Sequence, residues 1–519
     1  MKTSTKIFFT GAILLLALPV LFFPLSCDIA IFASGGQVIA SGGKIYVDYI
    51  DIKPPIVYYF FSLVYMIAGW EEFLIRVVEF FFLAVTLGSL IYTMDKRTGA
   101  KHASWAAAAI FAASYSALGY GATFQCETII ALPLIWLMYI HTGGRELWRS
   151  VAAGGLAGFI TGFKFTLGLV LAAILLDIWL GHDLRIGEKI RHSLIVILFF
   201  IISLFITLIP LLDPEIFAGY RDVLDFIFAY TGQGTAASNP AFILKGTAEF
   251  LSDKVSLLVI FGALAGLWMA LRGGDLTCRR YYYFSFILTA FLLLTVIIEQ
   301  KLFPYHFARF YIPLSILAGA GIFRIYRLIR EKWPEFSLYA RFLTLGLVCL
   351  AILFSPLPRW GNLMKVPYTY FTDSRSYDNL FERPFNPDII RSQRRQVADT
   401  LRAYMQPGDS LLVMDVVSDA IYFFAKAGHA PKYAVSSFYF GRGASPRWKL
   451  GAMEELAKAD WLVINHRVGH PAANEHNLTA WESLRQNEIM YDYVMHNFER
   501  THEFRTFYIY TKIGQEVRD

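Results

Sequence analysis

Long apolar runs constrain this chain more than any other feature. Spanning a bilayer takes about 20 apolar residues, and runs of roughly that length lie near 7–25, 76–94, 104–120, 128–142, 151–163, 165–180, 193–212, 255–271, 282–298, 308–323 and 342–356. Only 17% of the 519 residues are charged, against about a quarter in a soluble protein. The reading is a mainly α polytopic membrane protein with about eleven spans. Residues 7–25 follow Lys2 and Lys6 and resemble a signal peptide. Pro24-Leu25-Ser26-Cys27 is a poor lipoprotein cleavage site, however, so the segment reads as a retained first span.

Basic residues orient the layout. With the N-terminus inside, the inner segments hold Lys2 and Lys6; Lys96, Arg97 and Lys101; Arg145 and Arg149; Arg185, Lys189 and Arg191; Arg272, Arg279 and Arg280; and Arg324, Arg327, Arg330, Lys332 and Arg341. Every inner loop is basic, as the positive-inside rule requires. The net charge of +6 therefore belongs to short loops and argues against nucleic-acid binding. The expected location is the plasma (inner) membrane, with a cytoplasmic N-terminus and an extracytoplasmic C-terminus.

Counting 56–69 as a span would invert every later loop. Ile29–Ala40 and Ile56–Ala68 therefore read as helices along the outer surface, with Tyr58, Tyr59, Phe60, Phe61 and Tyr65 at the interface. Residues 213–254 form a mixed outer segment, partly amphipathic around Tyr220, Arg221, Asp222 and Asp225. The tail, 357–519, reads as a small extracytoplasmic α/β domain behind a membrane domain at 1–356. Its helices are expected at Gln393–Met405 and Ala452–Ala459, and its strands at Ser410–Val417, Trp461–Asn465 and Thr506–Thr511.

Ionisable groups held against a bilayer are costly and point to chemistry. Here they fall in the outer loops: Asp28 after the first span, then Asp48, Asp51 and Lys53, Glu127, Lys164, and finally Lys301, Tyr305, His306 and Arg309. A carboxylate can take a proton from an acceptor hydroxyl or amine. Cations can hold a donor phosphate and stabilise the charge that develops on it.

Five motifs in order carry a family resemblance. They are Asp28 leading a surface helix; Gly-Lys-Ile-Tyr-Val-Asp-x-x-Asp-x-Lys-Pro-Pro from Gly43 to Pro55; Glu127 in the second outer loop; Gly-Phe-Lys-Phe-Thr around Lys164; and Phe-Pro-Tyr-His before an Ile-Pro-Leu span, Phe303 to Leu314. Over about residues 1–356 the chain resembles GT-C fold glycosyltransferases of the family 39, protein O-mannosyltransferase and aminoarabinose transferase superfamily. The resemblance implies a polyprenyl-phosphate sugar donor and hexosyl or pentosyl transfer with inversion to an envelope lipid, glycan or protein. It makes Asp28 and Glu127 the catalytic carboxylates, and Lys53, Lys164, His306 and Arg309 the donor-phosphate ligands, with Asp48, Asp51 and Tyr305 in support. Many relatives carry two consecutive acids after the first span. Here Ile29 follows Asp28, so no obligatory metal is expected. The competing reading is a transporter or lipid flippase, but the spans are nearly free of central charge and show no repeat.

Structural readings stand beside these. Asp48 and Asp51 could brace their loop, Lys53 could snorkel, and Pro54-Pro55 suits a helix start. Arg76 and Glu79 are spaced to pair on one helix face. Cys27 and Cys126 each precede an expected catalytic carboxylate, which raises the possibility of a disulfide joining the two acidic loops. His466, His470 and His476 form a loose cluster, and Asn477-Leu478-Thr479 is a glycosylation sequon.

Overall fold

A computed structural model describes residues 3–181, 184–231, 240–252, 254–272, 276–299, 303–381, 391–415, 418–441, 443–467 and 478–514. Helix covers most of each of the eleven apolar intervals. Among the described residues five helices are long and apolar enough to cross a membrane: Thr3–Phe22, Glu72–Thr98, Ile186–Thr207, Cys278–Glu299 and Pro304–Glu335. Leu338–Leu353 and Leu357–Thr372 make a sixth if that pair, bent by 52°, is one span.

The chain divides into two units, each discontinuous in sequence. The first gathers residues 1–23, 76–209 and 235–368; the second gathers 24–75, 210–234 and 369–519. The contacts thus draw the boundary elsewhere than at residue 356. The two outer-surface helices and the 210–234 segment group with the tail.

The first unit is a helical bundle whose close packing depends on glycine. Along Leu147–Phe163, glycines recur every four residues at 154, 158 and 162, and this stripe meets Ile186–Thr207. A β-carbon at Gly158 would lie 2.3 Å from the Phe200 carbonyl oxygen and 2.9 Å from the Leu204 nitrogen. A second such contact brings Gly321 of Tyr311–Lys332 against Gly262 and Gly266 of Lys254–Arg272. Small residues let helix backbones approach where lipid supplies no hydrophobic drive between helices. Arg76 and Glu79 pair as their spacing suggests, and both are fully buried.

The second unit is built on a four-stranded sheet: β1 (Leu411–Met414), β2 (Trp461–Asn465), β3 (Phe498–Glu503) and β4 (Phe507–Lys512), in the order β1-β2-β4-β3. β1 and β2 are parallel, and the remaining pairs antiparallel. Arg391–Tyr404 and Asp419–Ala425 pack on it through Val397, Leu401 and Ile421, against Val413, Val463 and Ile509. The loop after the first surface helix joins this unit by backbone bonds, Ile50 N to Lys432 O at 2.7 Å and Ala434 N to Ile50 O at 3.2 Å.

One buried contact in this unit is pH-sensitive. The Tyr49 hydroxyl lies 2.8 Å from Ile31 O and 2.9 Å from Asp419 Oδ1. The hydroxyl has one proton to share between these two acceptors, and it donates to Asp419 as well as to Ile31 O. Burial pushes the Asp419 pKa from its ordinary 3.8 up to about 8. Between about pH 4 and pH 8 the unfolded chain has released the Asp419 carboxyl proton and the folded chain still holds it. The Asp419 contribution to stability is therefore greatest below pH 4 and falls as pH rises through this window.

Two predictions follow from these contacts. Gly158→Val should lower the thermal midpoint of the detergent-solubilised protein, by the 1–3 kcal/mol or so of an overpacked contact. Gly155→Ala, where a β-carbon meets nothing within 4 Å, should not lower it. Asp419→Asn should match the wild type near pH 4 and gain a stability advantage as pH rises to 8, read by thermal scans across that range. A constant difference at every pH would rule out the titration.

Candidate functional site

In the first unit the loop that leads to Glu127 is tightly held. Phe124 adopts a left-handed backbone (φ 57°), and its N–H donates to the Tyr115 hydroxyl at 3.0 Å. Tyr115 in turn donates to Glu79 Oε1 at 2.6 Å. Arg76 anchors the same loop through Thr123 Oγ1 at 3.2 Å and also donates to Phe23 O at 3.1 Å. Glu127 then sits in the first turn of a short helix, Cys126–Ile129.

Around Glu127 the bundle gathers a charge-balanced cluster. Lys164 ends helix Leu147–Phe163, and its Nζ lies 2.6 Å from Glu127 Oε1 and 2.7 Å from Glu299 Oε2. Arg309 donates to both Glu299 oxygens (2.7 and 2.9 Å), to Glu127 Oε1 (3.1 Å) and to Thr295 Oγ1 (2.6 Å). Thr166 Oγ1 donates to Glu299 Oε1. The His306 ring lies between the carboxylates, 3.8 Å from Glu127 and 3.7 Å from Glu299. Tyr305 stacks on Phe303 and meets His306 edge-on. Two carboxylates thus face Lys164 and Arg309, which is how buried charge is tolerated.

Exposure separates the roles. The Lys164 side chain is 25% exposed, while those of Arg309, Glu127 and His306 are at most 3% exposed. Lys164 is the cation that a ligand can reach. Arg309, expected to bind phosphate, has its guanidinium turned onto carboxylates and is better read as the brace that positions them. Glu127 likewise accepts from fixed cations. Sequence reasoning passed over Glu299, which closes an apolar run and looks like an ordinary span terminus; its signal was the position two residues before Lys301. Lys301 itself lies outside the described residues. Glu127, Glu299 and His306 each offer one ligand atom, all within 4.8 Å of one another. A divalent cation there would compete with Lys164 and Arg309 for the same carboxylates.

The second unit holds the other expected residues. Asp28 is half-buried in the first turn of Cys27–Ala40, whose N-cap is Ser26. Asp48 is exposed and accepts from Lys44 N at 2.7 Å, so it braces its loop. Asp51 is buried and accepts from the Tyr58 hydroxyl, also a bracing contact. Lys53 is half-buried, its Nζ 5.8 Å from the Phe32 ring centre. Pro54 and Pro55 open helix Pro55–Ala68.

Cys27 lies in the second unit and Cys126 in the first. Cys27 Sγ accepts from Arg394 Nη1 at 3.3 Å, and Arg394 Nη2 pairs with buried Asp415 at 2.9 Å. Asp415 also accepts from Asn465 Nδ2 at 2.6 Å. Beside this chain, Glu72 accepts from Leu25 N at 2.6 Å and pairs with Arg391 at 2.8 Å. Helix Arg391–Tyr404 therefore grips the segment that carries Asp28 at two points, a role the sequence did not disclose. His466 stacks on Tyr508; His470, His476 and Asn477 lie outside the described residues.

Breaking a buried charge balance leaves an uncompensated ion, at a cost of about 3–5 kcal/mol. Arg309→Met should destabilise the protein on that scale in thermal scans. Adding Glu299→Gln should recover part of the loss, a coupling that independent sites would not show.

Residues 52–209 match the family described as dolichyl-phosphate-mannose-protein mannosyltransferase. No curated protein sequence matches the chain. Among solved structures, ArnT from Cupriavidus metallidurans bound to undecaprenyl phosphate is similar at a TM-score of 0.58 and 13% identity, over 99% of each chain. The same protein in the apo state is similar at a TM-score of 0.59 and 12% identity, over 98% of each chain. The chain therefore shares the fold of these ArnT structures.

Proposed function

We propose that the chain is an integral-membrane glycosyltransferase that moves a hexosyl or pentosyl group from a polyprenyl-phosphate donor to an extracytoplasmic lipid, glycan or protein acceptor. The observation that carries the reading is the Glu127–Glu299–Lys164–Arg309 cluster, with Lys164 at its accessible edge. The similar ArnT structure holds undecaprenyl phosphate, which supports a lipid phosphate as the group that Lys164 meets.

The chemistry is a displacement at the anomeric carbon. The acceptor hydroxyl or amine attacks, the bond from that carbon to the phosphate oxygen breaks, and configuration inverts. The acceptor proton passes to a carboxylate, the role the sequence resemblance gives Asp28. The leaving polyprenyl phosphate gains negative charge, which Lys164 stabilises. The resemblance adds Lys53 as a further phosphate ligand. Arg309 and His306 act by holding Glu127 and Glu299, and so Lys164, in place. No obligatory metal is part of this reading, with Lys164 as the cation at the accessible edge. The membrane is the plasma membrane, with the basic loops cytoplasmic and the tail outside.

The test is transfer of radiolabelled sugar from a panel of polyprenyl-phosphate sugars in host membranes, with wild type, Asp28→Asn and Lys164→Ala at equal expression. Wild type should transfer from at least one donor. Asp28→Asn should lose at least 100-fold, the lower end of general-base catalysis, and Lys164→Ala should fall by a comparable factor. Full activity in Asp28→Asn would remove the base assignment, and no transfer by wild type from any donor would contradict the whole reading. Transfer should survive prolonged chelation with EDTA; loss restored by a divalent cation would overturn metal independence.

A further inference from the structure

The mechanism leaves unused a pair of arginines in two loops that the sequence assigns to the cytoplasmic side. A β-carbon at Gly143 would lie 1.9 Å from Arg97 Nη2 and 2.1 Å from Arg149 Nη1. The two cationic nitrogens therefore converge on the face of Gly143, no more than about 4 Å apart, in the space that a side chain there would take. Like charges at this separation repel unless an anion sits with them.

Each guanidinium is held in place from behind. Arg97 lies over the Tyr139 ring at 4.0 Å and donates to Tyr139 O, by Nε at 2.9 Å and by Nη2. Arg149 lies over the Trp148 ring at 4.6 Å and donates to Ile140 O at 3.3 Å and Glu146 Oε2 at 2.6 Å. Both therefore cap the C-terminal end of helix Ala131–His141, but capping does not require the two heads to meet. The carboxylate paired here, Glu146, has a 56% exposed side chain, so one carboxylate faces two cations. The surroundings are those of an interface: Trp148 is 54% and Tyr92 49% exposed, and Tyr92 packs with Trp136 and Tyr139. Paired guanidinium forks match the oxygens of a phosphate, and basic pockets between spans recognise lipid headgroups.

We propose that Arg97 and Arg149, converging over Gly143, form a binding site for the phosphate of an anionic lipid headgroup. The site belongs to the end of helix Glu72–Thr98 and the start of helix Leu147–Phe163, and it stands independently of the transfer reaction.

The test uses the full chain, delipidated in a neutral detergent, with phosphatidylglycerol and inorganic phosphate as probes. Native mass spectrometry reads retained lipid, and thermal scans read protection. Phosphatidylglycerol should bind and raise the thermal midpoint, and inorganic phosphate at equal concentration should not. The Arg97→Gln/Arg149→Gln variant should bind the lipid at least tenfold more weakly, whereas Arg330→Gln, at an exposed arginine elsewhere, should bind as wild type. Gly143→Ala keeps both charges and pushes the two heads off their shared position, so it guards against misfolding of the double variant; it should also weaken binding. Undiminished lipid binding in the double variant or in Gly143→Ala would overturn the site. Equal protection by inorganic phosphate would overturn the assignment to a lipid.

Discussion

Charge balance in a low-dielectric interior is the constraint on which the first unit depends. An ion taken out of water without a partner is costly. Glu127, Glu299, Lys164 and Arg309 come from four separate stretches of chain, yet each carboxylate touches both cations. Removing any one member leaves a net charge inside the bundle. That interdependence makes the cluster both a structural tie among helices and a site already suited to an anion.

Close helix packing makes such precision possible. The glycine stripe at 154, 158 and 162 sets Leu147–Phe163 directly against Ile186–Thr207, and Lys164 is the residue on which that stripe ends. The side chain is thus carried by a helix whose position is fixed by backbone contact rather than by adaptable side chains. In the second unit, Arg391 and Arg394 do comparable work. They couple a tail helix to Leu25 and Cys27 through Glu72 and a direct thiol contact. The tail is therefore part of the scaffold that carries Asp28.

Much of this was legible in the sequence because the signals were local. Apolar runs marked helical stretches in all eleven intervals, five or six of them among the described residues long enough to span a membrane, and Glu127, Lys164, His306 and Arg309 stood out as polar groups between apolar runs; the structure brings those four together. What escaped reading was long-range or ambiguous. Glu299 looks like a span terminus until Arg309 is folded against it. Arg394 is 367 residues from Cys27, and nothing near either residue announces the contact. β3 has the sequence Phe-Glu-Arg-Thr-His-Glu and sits at the sheet edge, where a polar strand carries little hydrophobic signal. The boundary expected at residue 356 followed the end of the apolar runs, whereas the contacts group the surface helices with the tail.

The central claim is that Lys164 is the accessible member of a balanced cluster and meets a lipid phosphate there. The most direct measurement is the affinity of polyprenyl phosphate for the detergent-solubilised protein and for Lys164→Met, by native mass spectrometry. The account predicts that wild type binds and that Lys164→Met binds at least tenfold more weakly while still folding. Equal affinity in the two proteins would contradict it.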